Sequence, residues 1–364
     1  MRSTTHRALL LLGAIALLSA CSDASEPLAP PPVAASLSNA PTALGSTVFE
    51  LATSPDGSLL AAETFTGNVV ELRKGEMEVI GEGLFGVTGL APIGRGNTLV
   101  LTGGGFGPPE VGTKVYRLSQ GGMRMVADIG HFEETVNPDQ VWNVLEPESN
   151  PYNIVSMGGG SALVSDAAGN SLLHVTTDGA VDWVAVLFPQ LASTQPLKDF
   201  VNCPGSGAPF CSLPDAIPAQ PVATSVAVGP DGYAYVGELT GFPGTPGISR
   251  VWRVDPDARH LLCPGEGCTQ VLGGLTSIVH LEFGPDGRLY VVELDALGWL
   301  AIEILGGNPA AGGVVKACDV DAGTCEVVAD GLSLPLGLTF DAEGVPWVAE
   351  NSSLGGGADI HPLF

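Results

Sequence analysis

The sequence predicts an all-β protein, a six-bladed β-propeller with four-stranded antiparallel blades, and three observations predict it. One element is written twice almost unchanged, as GPDGYAYVGEL at 229–239 and GPDGRLYVVEL at 284–294. Weaker copies recur as TSPDGSLLAAET at 53–64, GRGNTLVLTGG at 94–104, SMGGGSALVSDA at 156–167 and FDAEGVPWVAEN at 340–351, which makes six. Between the copies, short apolar runs alternate with Gly-, Asp- and Pro-containing turns at a period of roughly 40 to 70 residues, the mark of radial repetition. Helical periodicity sustained over a dozen residues is absent.

In chain order, residues 1–20 come first and are not part of the fold. Arg2 and Arg7 precede ALLLLGAIALLSA, a run too short to span a bilayer and suited to a signal-peptide core. It ends LSAC, which resembles the bacterial lipobox, with Cys21 as the lipidated N-terminus after cleavage. An ordinary signal peptide cleaved nearby is the alternative. Residues 21–44, rich in Pro, Ala and Ser, read as a tether. Residues 45–364 form the propeller.

Each unit opens on an apolar lead-in: VFELA, VTGLAPI, YNIVSM, TSVAV, IVHLEF and LGLTF. A turn and the repeated strand follow, then a third strand such as GNVVELRKG or SRVWRVDPD and a fourth such as MRMVADIG or CEVVADGL. The second strand is apolar on both faces, so both faces must be covered, as when a blade sits between two others. After VPWVAEN only ADIHPLF remains, enough for a third strand and no fourth. Val33–Leu37 in the tether are expected to supply that outer strand, so deleting 30–40 should lower the melting temperature. Insertions at 131–149 and 189–220 interrupt the rhythm and read either as covers or binding loops or as variable loops without a role.

The composition fits. Fourteen Lys+Arg stand against 39 Asp+Glu, a balance that repels phosphate backbones and excludes nucleic acid as a partner. With 45% hydrophobic residues the chain has ample material for a core despite 50 Gly and 29 Pro. Besides Cys21 there are six cysteines, in CPGSGAPFC, CPGEGC and CDVDAGTC. Spacing and the exported context favour three local disulfides, Cys203–Cys211, Cys263–Cys268 and Cys318–Cys325, locking loops. Fifteen connectivities are open to six cysteines, and a zinc site is disfavoured because CxxC spacing and neighbouring His are missing.

The second strands finish on Glu63, Asp166, Glu238, Glu293 and Glu350, whereas the second unit has Gly103–Gly105 there. On a propeller these acids are expected to form a ring near one channel mouth, either accepting backbone N–H groups and joining blades or holding a hard cation such as Ca²⁺. Among the histidines, His280 falls on a lead-in strand where it can approach the channel. A satisfied core histidine is the competing reading. GEGLFG at 81–86 matches GxGxxG but precedes no helix, and neither GxSxG nor HExxH occurs.

At NPYNIVSMGGGSALVSDAAGNSLLHVTTDG, PVATSVAVGPDGYAYVGELTGFPGTPGISRVWRVDP and VHLEFGPDGRLYVVEL the chain resembles the ScyD/ScyE family of exported NHL-type propellers. The resemblance covers about 45–364. It implies the fold and export, and it carries over no catalytic residues. The expected function is therefore an exported, lipid-anchored, monomeric propeller of the cell envelope that binds a small molecule, polysaccharide or protein on one face or serves as a scaffold. The alternative is a divalent-metal-dependent hydrolase resembling SMP-30 lactonases, with Glu63, Asp166, Glu238 and Glu350, joined by Asn153 or Asn351, around the metal.

Overall fold

In the computed structural model, residues 42–104, 110–143, 146–352 and 356–364 are described. Cys21 and the segment 33–37 lie outside them. Six four-stranded antiparallel blades follow one another along the chain. Blade 1 comprises Val48–Thr53, Leu59–Glu63, Asn68–Arg73 and Glu76–Gly81. Blade 2 comprises Val87–Gly94, Asn97–Thr102, Lys114–Ser119 and Gly122–Asp128. In blade 3 the strands are Pro151–Gly158, Ser161–Asp166, Ser171–Thr176 and Val181–Leu187. Blade 4 has Ala223–Val228, Ala234–Glu238, Ser249–Val254 and Cys268–Leu275. Blade 5 has Ile278–Phe283, Leu289–Glu293, Gly313–Asp319 and Thr324–Leu332.

Blade 6 is assembled from both ends of the described chain. Leu338–Phe340, Pro346–Glu350 and Asp359–Pro362 are joined by an outer strand, Thr42–Ala43, which pairs with Ile360 and Asp359. Leu44 extends the ladder through its N–H to the Ala358 carbonyl at 2.8 Å. The closing strand observed thus begins at Thr42, inside the segment read as tether. Each first strand touches the first strands of both neighbouring blades, and the series closes from blade 6 onto blade 1.

Hydrophobic clusters fill the gaps between blades. Leu163, Val226 and Trp252 pack in the gap between blades 3 and 4, while Val70, Leu72, Trp347 and Ile360 pack between blades 1 and 6. The second strands lie within this packing, every residue of Leu59–Glu63, Ala234–Glu238 and Leu289–Glu293 being buried. Two-sided burial is the reason those strands carry no polar face.

The repeated PDG has a local cause. Asp231 Oδ1 accepts the Tyr233 N–H at 3.2 Å, and its other oxygen accepts from Tyr235 Oη at 3.1 Å and Arg253 Nε at 2.8 Å. Asp286 repeats the set with Arg288 and Tyr290. The following glycine holds φ of 85° at Gly57, 80° at Gly232, 79° at Gly287 and 82° at Gly344, a left-handed turn that side chains disfavour. The first glycine admits an aromatic ring, since a Cβ on Gly229 would lie 2.5 Å from Tyr235 Cε2.

All three disulfides form as expected: Cys203–Cys211, Cys263–Cys268 and Cys318–Cys325. Cys318 and Cys325 face each other across a hairpin of blade 5. Cys263–Cys268 does more than lock a loop. Cys263 belongs to a short strand, Leu261–Cys263, that pairs in parallel with the edge of blade 3, whereas Cys268 starts the outer strand of blade 4. The bond therefore ties two blades.

The insertions hold helices that their short lengths hid from periodicity: α1, Ile129–Val136, and α2, Gln195–Phe200. A third, α3, Trp299–Ile304, lies in a connection of blade 5 that gave no sequence signal. All three sit on connections at the end of the propeller where second strands finish, opposite the PDG turns.

Removing residues 42–44 from the purified protein should open blade 6 and lower Tm by several degrees, read by differential scanning calorimetry.

Candidate functional site

The strand-end acids are not a channel-mouth ring. They lie on second strands, one strand away from the axis, and each is spent within its own surroundings. Glu63 Oε1 accepts the Gly45 N–H at 2.8 Å and Oε2 accepts from Thr66 at 2.8 Å and Asn68 at 3.0 Å. Asp166 Oδ1 accepts the N–H groups of Asn150 at 2.8 Å and Gly169 at 3.0 Å, and Oδ2 accepts from Ser149 at 2.7 Å. Glu293 Oε1 accepts from the Thr276 N–H and Lys316 Nζ, both at 2.8 Å. Glu350 accepts from the Ser333 N–H at 3.0 Å and pairs with His361 Nε2 at 3.0 Å. Gly45, Asn150, Thr276 and Ser333 all belong to the segment that arrives from the preceding blade, so these carboxylates stitch one blade to the next.

Glu238 has a fully buried side chain. It takes Arg250 Nε at 2.6 Å and Nη2 at 3.1 Å, Trp252 Nε1 at 3.1 Å and Gln190 Nε2 at 3.1 Å. Burial raises its pKa against the opposing pull of Arg250. In blade 2, where the acid is missing, Thr102 Oγ1 accepts the Lys114 N–H at 3.2 Å. Gly104 makes room for the incoming chain, because a Cβ there would lie 2.6 Å from the Ser149 carbonyl oxygen. Among the described residues, no group of three or more His, Cys, Asp and Glu side chains is placed to hold a metal ion. Asn351 turns outward to Asp359, 2.7 Å away, rather than joining Glu63 or Glu238.

The polar site on the axis is a different one. First strands of five blades shift register just after they begin, between Val48 and Leu51, Val87 and Gly89, Pro151 and Asn153, Ala223 and Ser225, and Ile278 and His280. Such irregularities re-aim side chains. The residues they deliver include Glu50 of blade 1, Asn153 of blade 3 and His280 of blade 5. A cavity of about 330 Å³ on the axis is bordered by these three together with Thr53, Glu282 and Thr339. Its lining comes from the middle and far ends of the first strands, so it lies toward the PDG turns and away from the insertions.

Glu50, Asn153 and His280 are each at most 5% exposed. Asn153 donates Nδ2 to Glu50 Oε2 at 2.6 Å and is itself fixed by the Val226 N–H at 3.0 Å. His280 Nδ1 stands 3.5 Å from Glu50 Oε2, and Nε2 stands 3.7 Å from Glu282 Oε2. The second distance is too long for a hydrogen bond, and Nε2 has no other partner. Thr339 donates to Glu282 Oε1 at 3.3 Å. Burial works against a charged imidazole, yet the two carboxylates outweigh it and push His280 up to about 10. Burial also raises Glu50 and Glu282, with the imidazolium opposing. At neutral pH the cluster is a buried imidazolium between two carboxyl groups, with the Nε2 N–H facing Glu282 from beyond hydrogen-bond distance.

His280 was legible as a channel residue from its place in IVHLEF. Glu50, Asn153 and Glu282 carry the same signal, a polar residue inside an apolar lead-in strand, and Asn153 joins Glu50 on the axis rather than the strand-end acids with which it was expected.

No protein-family model and no curated protein matches the sequence. Solved structures match its shape. A protein of unknown function from Bacteroides thetaiotaomicron superposes with a TM-score of 0.53 at 11% identity, covering 89% of this chain and 72% of that one. A gluconolactonase from Xanthomonas campestris gives 0.53 at 13% identity, covering 88% and 87%. A putative glucose dehydrogenase from Thermus thermophilus gives 0.50 at 16% identity, covering 88% and 98%. At such identities the likeness shows the six-bladed propeller and nothing finer.

Arg250→Ala strands the Glu238 carboxylate, so it should cost about 3–5 kcal/mol in urea unfolding. Breaking the half-exposed pair Arg253–Asp231 should cost under about 1 kcal/mol. His280 should remain protonated at pH 8 by imidazole NMR. Because its folded pKa lies above its unfolded value of 6.5, its stabilisation is whole below about 6.5 and is lost as pH rises through about 10. In Glu50→Gln that loss should begin at lower pH.

Proposed function

We propose that this protein is an exported, lipid-anchored propeller that binds a small polyhydroxylated ligand, of the sugar class, in the axial cavity. One observation carries the reading: an axial cavity bordered by Glu50, Asn153, His280, Glu282 and Thr339, in which the His280 Nε2 N–H has no hydrogen bond. A buried N–H without a hydrogen bond is costly even beside a carboxylate, and a ligand hydroxyl that bridges His280 and Glu282 can satisfy it. Three disulfides support an oxidising compartment, in keeping with Cys21 as the anchor in a bacterial envelope and with a monomer standing off the membrane.

Lactone hydrolysis is the second reading, favoured by the fold shared with a gluconolactonase. The divalent metal it calls for is poorly served here. The strand-end acids are committed to blade joints, and the axial carboxyl groups already face an imidazolium, whose positive charge repels a cation. As a proton donor, His280 at about 10 is also poorly matched to neutral pH. Binding is therefore favoured over turnover.

Thermal shift against monosaccharides, sugar acids and glucono-lactone at tens of millimolar tests this. Wild type should gain a few degrees with at least one of them, and Glu282→Gln should lose the gain while melting within about 2 °C of wild type. A flat panel would sink the binding reading. Metal-stimulated lactone hydrolysis above the spontaneous rate would replace it with the second.

A further inference from the structure

Blade 3 breaks the joint that the other acid-bearing blades share. In blades 1, 4, 5 and 6 the third strand hands the strand-end acid a donor: Asn68 to Glu63 at 3.0 Å, Arg250 to Glu238 at 2.6 Å, Lys316 to Glu293 at 2.8 Å and His361 to Glu350 at 3.0 Å. In blade 3 the residue directly opposite Asp166 is Ser171, whose fully buried hydroxyl has no partner. Into this place α1 delivers a second acid, Glu133. It is 1% exposed, and neither of its oxygens has a hydrogen-bond partner.

The two acids meet at one point. A Cβ built on Gly169 would lie 3.3 Å from both the Glu133 carboxyl carbon and the Asp166 carboxyl carbon. Asp139 is near as well, held by Asn143 and Asn170 at 3.0 and 2.9 Å. Asn137, which caps α1 through its N–H to the Glu133 carbonyl, has a buried Oδ1 with no partner. Burial, then Asp166 and Asp139, push Glu133 up to about 8. The acids and the Ser171 hydroxyl gathered here offer oxygens, and where the sister joints carry Asn, Arg, Lys or His this one brings no donor side chain from its third strand.

We propose that a hard cation of the calcium class occupies this joint, bound by the Glu133 carboxylate with Asp166 beside it and with the neutral hydroxyl oxygen of Ser171. Oxygen-only donors of mixed charge are what calcium takes. The cation replaces the missing donor, cancels the repulsion between the acids and pins α1 to blade 3. The site is separate from the axial cavity and from the strand-end ring considered above, of which only Asp166 takes part.

Calorimetric melts of the purified full-length protein, stripped with chelator and then titrated with calcium chloride at fixed pH, test it. Millimolar calcium should raise the wild-type Tm by about 5 °C, and the rise should vanish in Glu133→Gln. Equilibrium dialysis of wild type should find about one calcium per chain, a readout that stands even if the variant fails to fold. An unchanged wild-type Tm, no bound calcium, or a shift that persists in Glu133→Gln would each overturn the proposal. The first two would leave a proton alone on Glu133.

Discussion

Two-sided burial of the second strand of each blade is the constraint on which the rest of the molecule depends. A strand apolar on both faces has no place in a sheet with a wet side, and only a ring of blades covers every one of them. Each inter-blade gap then becomes its own hydrophobic cluster, so the core is divided among the gaps instead of gathered at one centre. The axis is left to the first strands, which are free to carry polar groups because they border space.

Polar chemistry follows the same geometry. Where a second strand ends, its backbone meets the chain arriving from the preceding blade, and an acid at that point accepts the incoming N–H groups. Acidic residues recur there because the joint recurs. A functional group, by contrast, occurs once per ring: one imidazolium between Glu50 and Glu282, and one acid, Glu133, brought in by an insertion. Both binding proposals rest on departures from the repeat, not on the repeat itself.

Each of these places also shows how charge is managed in a strongly acidic protein. At Glu238 a buried carboxylate is balanced by Arg250 and at Glu293 by Lys316, while on the axis His280 balances two carboxyl groups at once. Burial raises the pKa of the enclosed Glu50, Asp166 and Glu238, and the donors around each oppose that rise. Opposite charges and donors are placed singly and close by, as they must be when 14 basic residues serve 39 acidic ones.

The sequence by itself determined the blades, their number and the strands within them, because alternation and turn residues are local properties: a PDG turn is written in the Asp that bonds the next N–H and the Gly that takes a positive φ. It also favoured the disulfide pairs, whose partners are near neighbours in the chain, over the other connectivities. Only the tertiary structure decided which acids share a site. Glu50 and His280 stand 230 positions apart in the chain, and their meeting depends on the closure of the ring and on register shifts that turn both side chains into the cavity. The equivalence of repeats misled in one respect. It placed five acids at equal heights and left unstated their distance from the axis, which is set by strand order within the blade. Closure itself was legible as a need for an N-terminal strand, yet its register at Thr42–Ala43 was not, since a two-residue pairing is held by backbone hydrogen bonds that form whatever the side chains are.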